Sequence, residues 1–403
     1  MKPEIKKAWQ IGVISIVSYL ANYYLRNMLG VLTPEMLSEG VTTKTFAGLL
    51  SSTYMLTYAI GQLFNGVLGD MVNPKYMVLI GLGTAGAASI AFPFAALPAL
   101  QIACFALMGY TLSMMRGPLV KIISENTEAA HARIICVFFS FASFAGPLCA
   151  SLFAIFFSWN WAFVAAGAAA ILLAFGAFFA LTALEKRKII RFSSVKSKGF
   201  GSFLRVFRIE KFGFYMLIAC LVEISAIAIY FWIPTFLTEE LGFEETLANT
   251  IYSGISTARA FVPFAALFIF RLIKERDILM MRISFALATL FFLLMLPANH
   301  PWLIIGLMLM ALLCISCSSA LLWSVYIPSL GKTGLVSSVN GILDCAGYAA
   351  AALANYIFAQ ILTNISWNGV ILLWGGIALI GVIGTFFVRT KKDQAVICTS
   401  KSV

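Results

Sequence analysis

Five ionisable side chains sit inside long apolar runs of this sequence: Arg26, Arg116, Glu223, Arg259 and Asp344. A charge at bilayer depth costs about 2.5–3.5 kcal/mol on insertion scales, so such a residue faces a cavity or a partner. A guanidinium grips a carboxylate or phosphate through two parallel hydrogen bonds. Arg26, late in the first run, is therefore the leading candidate to hold an anionic group of a solute. Glu223 lies eleven residues before Pro234, about three helical turns from the end of its run. A carboxylate there can bind an ammonium, pair with an arginine or carry a coupling proton. Its structural alternative is a static bridge to Arg259 on the next run. Asp344 precedes Cys345-Ala346-Gly347, where small residues allow close helix contact; it is either a cavity acid or a partner of Arg259. Arg116 stands just before Gly117-Pro118, a helix-distorting pair, and is read with Lys121 as part of an inner gate. Tyr23, Tyr58 and Trp323 offer a ring to a sugar or cation and a polar tip to hydroxyls. Packing is the alternative role for any aromatic in a chain with 35 Phe.

The elements that position these residues follow from composition. Of 403 residues, 61% are hydrophobic and 11% charged, with a mean hydropathy of +0.94. Soluble domains average about 25% charged residues. The bilayer is the solvent that fits, and in it the backbone must satisfy its own hydrogen bonds. The apolar runs are long and do not alternate, which selects helices over a barrel. Twelve runs are predicted, near 9–31, 45–68, 76–97, 99–122, 134–157, 161–184, 212–238, 247–271, 279–297, 301–325, 336–363 and 367–389.

The net charge of +11 does not imply nucleic acid, because the basic residues fall between apolar runs. With the N-terminus inside, they collect on one side: Lys2, Lys6 and Lys7, then Lys75, Arg133, Arg271, Lys274, Arg276, Lys332, Arg389, Lys391 and Lys392. The other side carries Glu35, Glu39, Glu239, Glu240, Glu244 and Glu245. This is the positive-inside pattern, with both termini cytoplasmic. A basic linker at 185–211 separates a six-helix bundle at 1–184 from a second at 212–403. Motifs echo between the halves: Thr33-Pro34 against Ile233-Pro234, and Ser158-Trp159-Asn160 against Ser366-Trp367-Asn368. Duplicated halves are the trace of a transporter whose substrate binds between them near the midplane. The Trp residues are read as interface anchors. Cys314 and Cys317 form a CxxC inside a run and are read as small packing residues. No catalytic constellation, nucleotide loop or metal cluster is evident, so neither an enzyme nor a cofactor is expected.

The stretch Asn65-Gly66-Val67-Leu68-Gly69-Asp70-Met71-Val72-Asn73-Pro74-Lys75 resembles the Gly-x-x-x-Asp-basic loop of the major facilitator superfamily. That resemblance implies an all-α fold of two pseudo-symmetric six-helix bundles, with Gly66, Asp70 and Lys75 at an inner gate. Asn73-Pro74-Lys75, together with Trp9-Gln10-Ile11 and Asn22-Tyr23-Tyr24-Leu25-Arg26-Asn27, is similar to the organophosphate:phosphate antiporter family. That family grips phosphate with one arginine from helix one and one from helix seven. Arg26 matches the first, and Ala226 stands at the second. The family's helix-five histidine falls at Ser143, and its helix-one lysine is Asn27 here. The sequence thus reads as a secondary active transporter working by alternating access, a monomer in a bacterial inner membrane. It would carry a small organic anion or zwitterion, with a coupling proton on Glu223 or Asp344. The rival readings are a phosphate-ester/phosphate antiporter and a membrane sensor that binds solute without moving it.

Overall fold

The computed structural model describes residues 3–192, 203–361 and 365–388. Among these residues the chain forms twelve long helical rods and no strand. They are α1 (Pro3–Ser38), α2 (Lys44–Met71), α3 (Pro74–Ala91), α4 (Pro98–Leu112 resuming as Arg116–Asn126), α5 (Ala129–Phe156) and α6 (Trp159–Lys186). The others are α7 (Phe212–Glu239), α8 (Glu245–Leu272), α9 (Asp277–Met295), α10 (Pro301–Leu321), α11 (Val336–Ile361) and α12 (Trp367–Phe386). Each rod coincides with one predicted apolar run. Nine are long and apolar enough to cross a membrane, and α5 makes ten if its two limbs count as one span. The remaining rods, α1 and α2, are as long as the others but carry polar residues such as Asn22, Arg26, Gln62 and Asn65. Part of the expected linker, residues 193–202, and the basic tail with Arg389, Lys391 and Lys392 lie outside the described residues.

Local chemistry sets the ends and bends. Thr43 caps α2 by accepting the Phe46 N–H at 3.2 Å, and Asn73 caps α3 by accepting that of Lys75 at 3.1 Å. Pro74 takes the first helical position, where its missing N–H costs nothing. The loop's Asn-Pro-Lys ending is thus a complete helix start. Helix α5 bends by 43° at Ser143–Ala145. Pro147 cannot donate to the Ser143 carbonyl, which frees the ladder there. Helix α7 is interrupted by a π-helical segment, Ile224–Ile229, directly after Glu223. A second, Leu322–Tyr326, follows α10 and carries Trp323. Such segments are frequent at functional positions.

The chain folds as two compact units. The first comprises Met1–Phe207 and Trp323–Cys345; the second comprises Arg208–Leu322 and Ala346–Val403. The sequence reading placed Trp323–Cys345 in the second bundle, whereas it packs as part of the first unit. The cause is polar and glycine contact from the first turns of α11, described below.

Within the first unit, small residues bring backbones together. A Cβ on Gly86 of α3 would lie 2.6 Å from the Gly167 carbonyl oxygen of α6. Ser89 of α3 donates to the Phe163 carbonyl at 2.8 Å. Asn65 of α2 donates to the Tyr110 carbonyl at 3.1 Å and to Ser113 Oγ at 2.6 Å, so α4 is held where it breaks. Tyr24 donates to the Ala166 carbonyl at 3.2 Å, an anchoring role. In the second unit, Arg282 of α9 donates to Thr385 Oγ1 and to the Thr385 carbonyl of α12, both at 3.1 Å. The Tyr215 hydroxyl of α7 donates to Asp277 at the start of α9.

Candidate functional site

Three constellations carry the charges singled out from the sequence. The first surrounds Asp70, at the end of α2 and 1% exposed. Its two carboxylate oxygens accept the backbone N–H groups of Ser337 at 3.0 Å and Ser338 at 2.8 Å. Helix α11 starts at Val336, so these are two of the N–H groups that a helix start leaves without intrahelical partners. A carboxylate there also meets the positive end of the helix dipole. Lys121 of α4 sits beneath, donating to the Asp70 carbonyl at 2.8 Å, with its ammonium 3.9 Å from the Asp70 carboxylate. Glycine makes this approach possible. A Cβ on Gly66 would stand 3.0 Å from Gly341 Cα, and one on Gly69 or Gly117 would collide with Ser337. Lys75, in the first turn of α3, pairs instead with Glu185 at the end of α6. The basic partner of Asp70 is therefore Lys121, and Arg116 belongs elsewhere.

The second constellation, also within the first unit, contains Arg26, Arg116 and Asp344. Arg116 Nη1 donates to Asp344 Oδ1 at 3.3 Å. The other carboxylate oxygen accepts from Asn340 Nδ2 at 2.9 Å, one turn back on α11. The Arg116 guanidinium lies over the Trp323 ring, 4.0 Å from its centroid. Asp344 is 2% exposed, a depth at which an ionised carboxylate requires a partner. The sequence reading offered Arg259 as that partner and the gate as the place of Arg116. The geometry joins Arg116, the first residue of the second limb of α4, to Asp344. Arg26 is flanked by two aromatic faces: its guanidinium carbon is 5.8 Å from the Tyr23 ring centroid and 5.4 Å from that of Tyr58. It also contacts Met55 Sδ at 3.6 Å. Tyr19 packs edge-on to Tyr23 at 5.2 Å, and Tyr54 stacks with Tyr58 at 5.9 Å. Arg26, Tyr23, Tyr58, Trp323, Arg116 and Asp344 thus fall in one unit, while Glu223 and Arg259 fall in the other.

The third constellation lies in the second unit. Arg259 of α8 donates from Nε to Ser316 Oγ of α10 at 3.2 Å. Its guanidinium sits over the Tyr230 ring, 4.6 Å from the centroid. Tyr230 stacks on Tyr252 at 4.5 Å. Glu223 lies against Gly347 of α11, where an added Cβ would come within 2.5 Å of its Cγ. It acts electrostatically on Arg259. Pro234 and Pro263 follow Tyr230 and Arg259 by four residues, so the carbonyls of both stacked residues lack their usual helix donor. Cys314 and Cys317 are free thiols.

Several contributors were not singled out from the sequence: Asn340, Ser337, Ser338, Ser316, Tyr19 and Met55. Asn340 precedes Asp344 by four residues, a helical spacing that could have found it. Tyr19 precedes Tyr23 by the same spacing; the others meet their partners across sequence separations that carry no local signal.

The Major Facilitator Superfamily model matches residues 15–354. Among curated relatives, the membrane sensor protein UhpC of Salmonella typhimurium is 31% identical over 78 residues, 19% of this chain and 18% of that protein. A probable hexose phosphate transport protein of Chlamydia pneumoniae is 28% identical over 88 residues, 21% of this chain and 19% of that one. The matched stretches thus span less than a fifth of the length of these relatives. Similarity to solved structures extends over the whole fold. The proton:xylose symporter XylE gives a TM-score of 0.69 at 13% identity, covering 96% of this chain and 97% of that one. The Escherichia coli fucose:proton symporter FucP gives 0.69 at 15% identity, covering 94% and 100%. A bacterial homologue of the iron transporter ferroportin gives 0.74 at 12%, covering 93% and 98%. At such identities the likeness concerns the fold alone. With the twelve-helix architecture and the match to most of its length, this chain belongs to the Major Facilitator Superfamily of integral membrane transporters.

Proposed function

We propose that the protein is a secondary active transporter that binds the anionic group of a small polar organic solute at Arg26 and moves it by alternating access, with proton coupling. The observation that carries this reading is the placement of Arg26. Its guanidinium lies between Tyr23 and Tyr58, in the same unit as the Arg116–Asp344 pair. Aromatic faces support the guanidinium, and a guanidinium can grip a carboxylate or phosphate through two parallel hydrogen bonds. The tyrosine hydroxyls supply polar tips for a hydroxylated solute. Glu223, with Arg259 and two tyrosines around it, is the acid of the second unit and the candidate for a cationic group or a proton. The substrate class is an organic monoanion, a sugar acid or a zwitterion. The positive-inside pattern of the loops supports cytoplasmic termini and a bacterial inner membrane for this reading.

The resemblance of short stretches to probable hexose phosphate transport proteins favours a second reading, exchange of a phosphate ester for phosphate. In that case internal phosphate stimulates uptake of the ester into liposomes. The similarly short match to UhpC favours a sensor, which binds solute without counterflow. A thermal-shift screen of the purified chain against phosphate esters, sugar acids and amino acids tests the primary reading. Stabilisation by an anionic solute in the native protein and its loss in Arg26→Lys is expected. Equal stabilisation in Arg26→Lys refutes the role of Arg26.

A further inference from the structure

The Arg116–Asp344 pair has features that a static bridge does not need. Its contact is single-pointed: one guanidinium nitrogen meets one carboxylate oxygen at 3.3 Å. A fully committed arginine–carboxylate pair is commonly two-pointed, so Arg116 keeps donor capacity beyond this contact. The Trp323 face, 4.0 Å away, supports the guanidinium independently of the carboxylate. Asn340 supplies a separate observation. Its Nδ2 donates to Asp344 Oδ2 at 2.9 Å, while its Oδ1 is buried with no hydrogen-bond partner among the described residues. A carboxamide rotated by half a turn presents that oxygen to the same place. Asn340 can therefore donate to an ionised Asp344 and accept from a protonated one. It suits a carboxyl group that changes protonation state.

We infer that Arg116 is a second anion-binding residue, occupied in this structure by the Asp344 carboxylate acting as a stand-in for the solute's anionic group. This rests on the proposed transport of an anion and adds how the proton is coupled to it. A proton from solution adds to Asp344, its charge is neutralised, and the bond from Arg116 breaks. The guanidinium then takes a carboxylate or phosphate oxygen of the solute, while the new O–H of Asp344 donates to Asn340 Oδ1. One positive charge enters as the proton and one negative charge as the bound group, so the site keeps its net charge. One proton therefore accompanies each monoanion. The charged and titratable groups facing Asp344 and Arg116 are Arg26, Tyr19 and Tyr23 from α1, Tyr58 from α2 and Cys136 from α5. Asp344 is the carboxylic acid of this group, and the proton is assigned to it.

Trp323 reports on the pair without any solute. The pH titration of its fluorescence is obtained as the difference between the native full chain and Trp323→Phe. A one-proton transition is expected in the native protein and its absence in Asp344→Asn. On the acid side of that transition, gluconate and inorganic phosphate serve as probe anions. At least one is expected to change the Trp323 signal in native protein and in Asp344→Asn, but not in Arg116→Gln. Probe affinity in native protein should rise toward about tenfold per pH unit as pH falls on the alkaline side of the transition and level off on its acid side, and vary less than twofold in Asp344→Asn. An unchanged titration in Asp344→Asn, no titration in native protein, or no response to either probe overturns the inference. Arg26→Lys is expected to retain the solute-free titration. Loss of anion binding in that variant with the titration intact separates the Arg26 reading from this one, and the reverse pattern does the same.

Discussion

Replacing Asp70 by alanine removes three things whose sizes can be set from the structure. Two backbone N–H groups at the start of α11, now 3.0 and 2.8 Å from carboxylate oxygens, lose their acceptors. A buried unsatisfied donor costs about 1–3 kcal/mol. The Lys121 ammonium, 3% exposed, loses a countercharge 3.9 Å away. Orphaning one partner of a fully buried pair costs about 3–5 kcal/mol. Lys121 keeps the Gly69 and Asp70 carbonyls at 3.3 and 2.8 Å, so its share falls at or below the low end. The single substitution should cost about 2–9 kcal/mol in all. In the double variant Asp70→Ala/Lys121→Met the orphaned charge is gone. That protein should be more stable than the sum of the two single effects by about 1–3 kcal/mol. A double-mutant cycle of unfolding in detergent micelles measures this. Simple additivity of the two single effects would refute the claim that Lys121 is the charge partner of Asp70.

Other outcomes follow from the same geometry. Gly86→Ala, which would place a Cβ 2.6 Å from the Gly167 carbonyl, should lower the unfolding midpoint sharply, whereas Gly83→Ala, with nothing within 4 Å, should leave it unchanged or raise it slightly. Both are read from thermal unfolding of the purified protein. Glu185→Gln should cost less than about 1 kcal/mol, because its pair with Lys75 is partly exposed, at 12% and 35%, and exposed pairs contribute little; a larger loss in chemical denaturation would show a structural role for that bridge. Glu223→Gln should change the pH dependence of uptake if Glu223 carries a proton, and uptake assayed in liposomes across a pH series decides it.

Much of the fold was legible in residue order. Each apolar run became one rod, since a long, non-alternating span closes its own backbone hydrogen bonds as a helix. The starts of α2 and α3 carry a chemical signal in Thr43, Asn73 and Pro74. The π-helical segments after Glu223 and around Trp323 were not legible, because an extra residue in a helical turn leaves no compositional trace. Partners were the harder part. Arg116 and Asp344 are 228 residues apart, and no spacing rule joins them. Arg116 opens the limb of α4 that resumes after the break at Ser113–Met115, and its guanidinium meets Asp344 rather than the gate. The motif around Gly66 and Asp70 pointed to close helix contact, yet only the fold shows that the contact is the first turn of α11.

Counterflow in liposomes tests the central claim most directly. Vesicles holding purified protein are loaded with an unlabelled solute chosen by its thermal shift, then diluted into a trace of the same labelled solute. Transient accumulation of label by the native protein, and its loss in a correctly inserted Arg26→Lys variant, is the expected result. Accumulation by Arg26→Lys at the native rate would contradict the assignment of Arg26 to the solute's anionic group, and binding without any counterflow in the native protein would contradict transport itself.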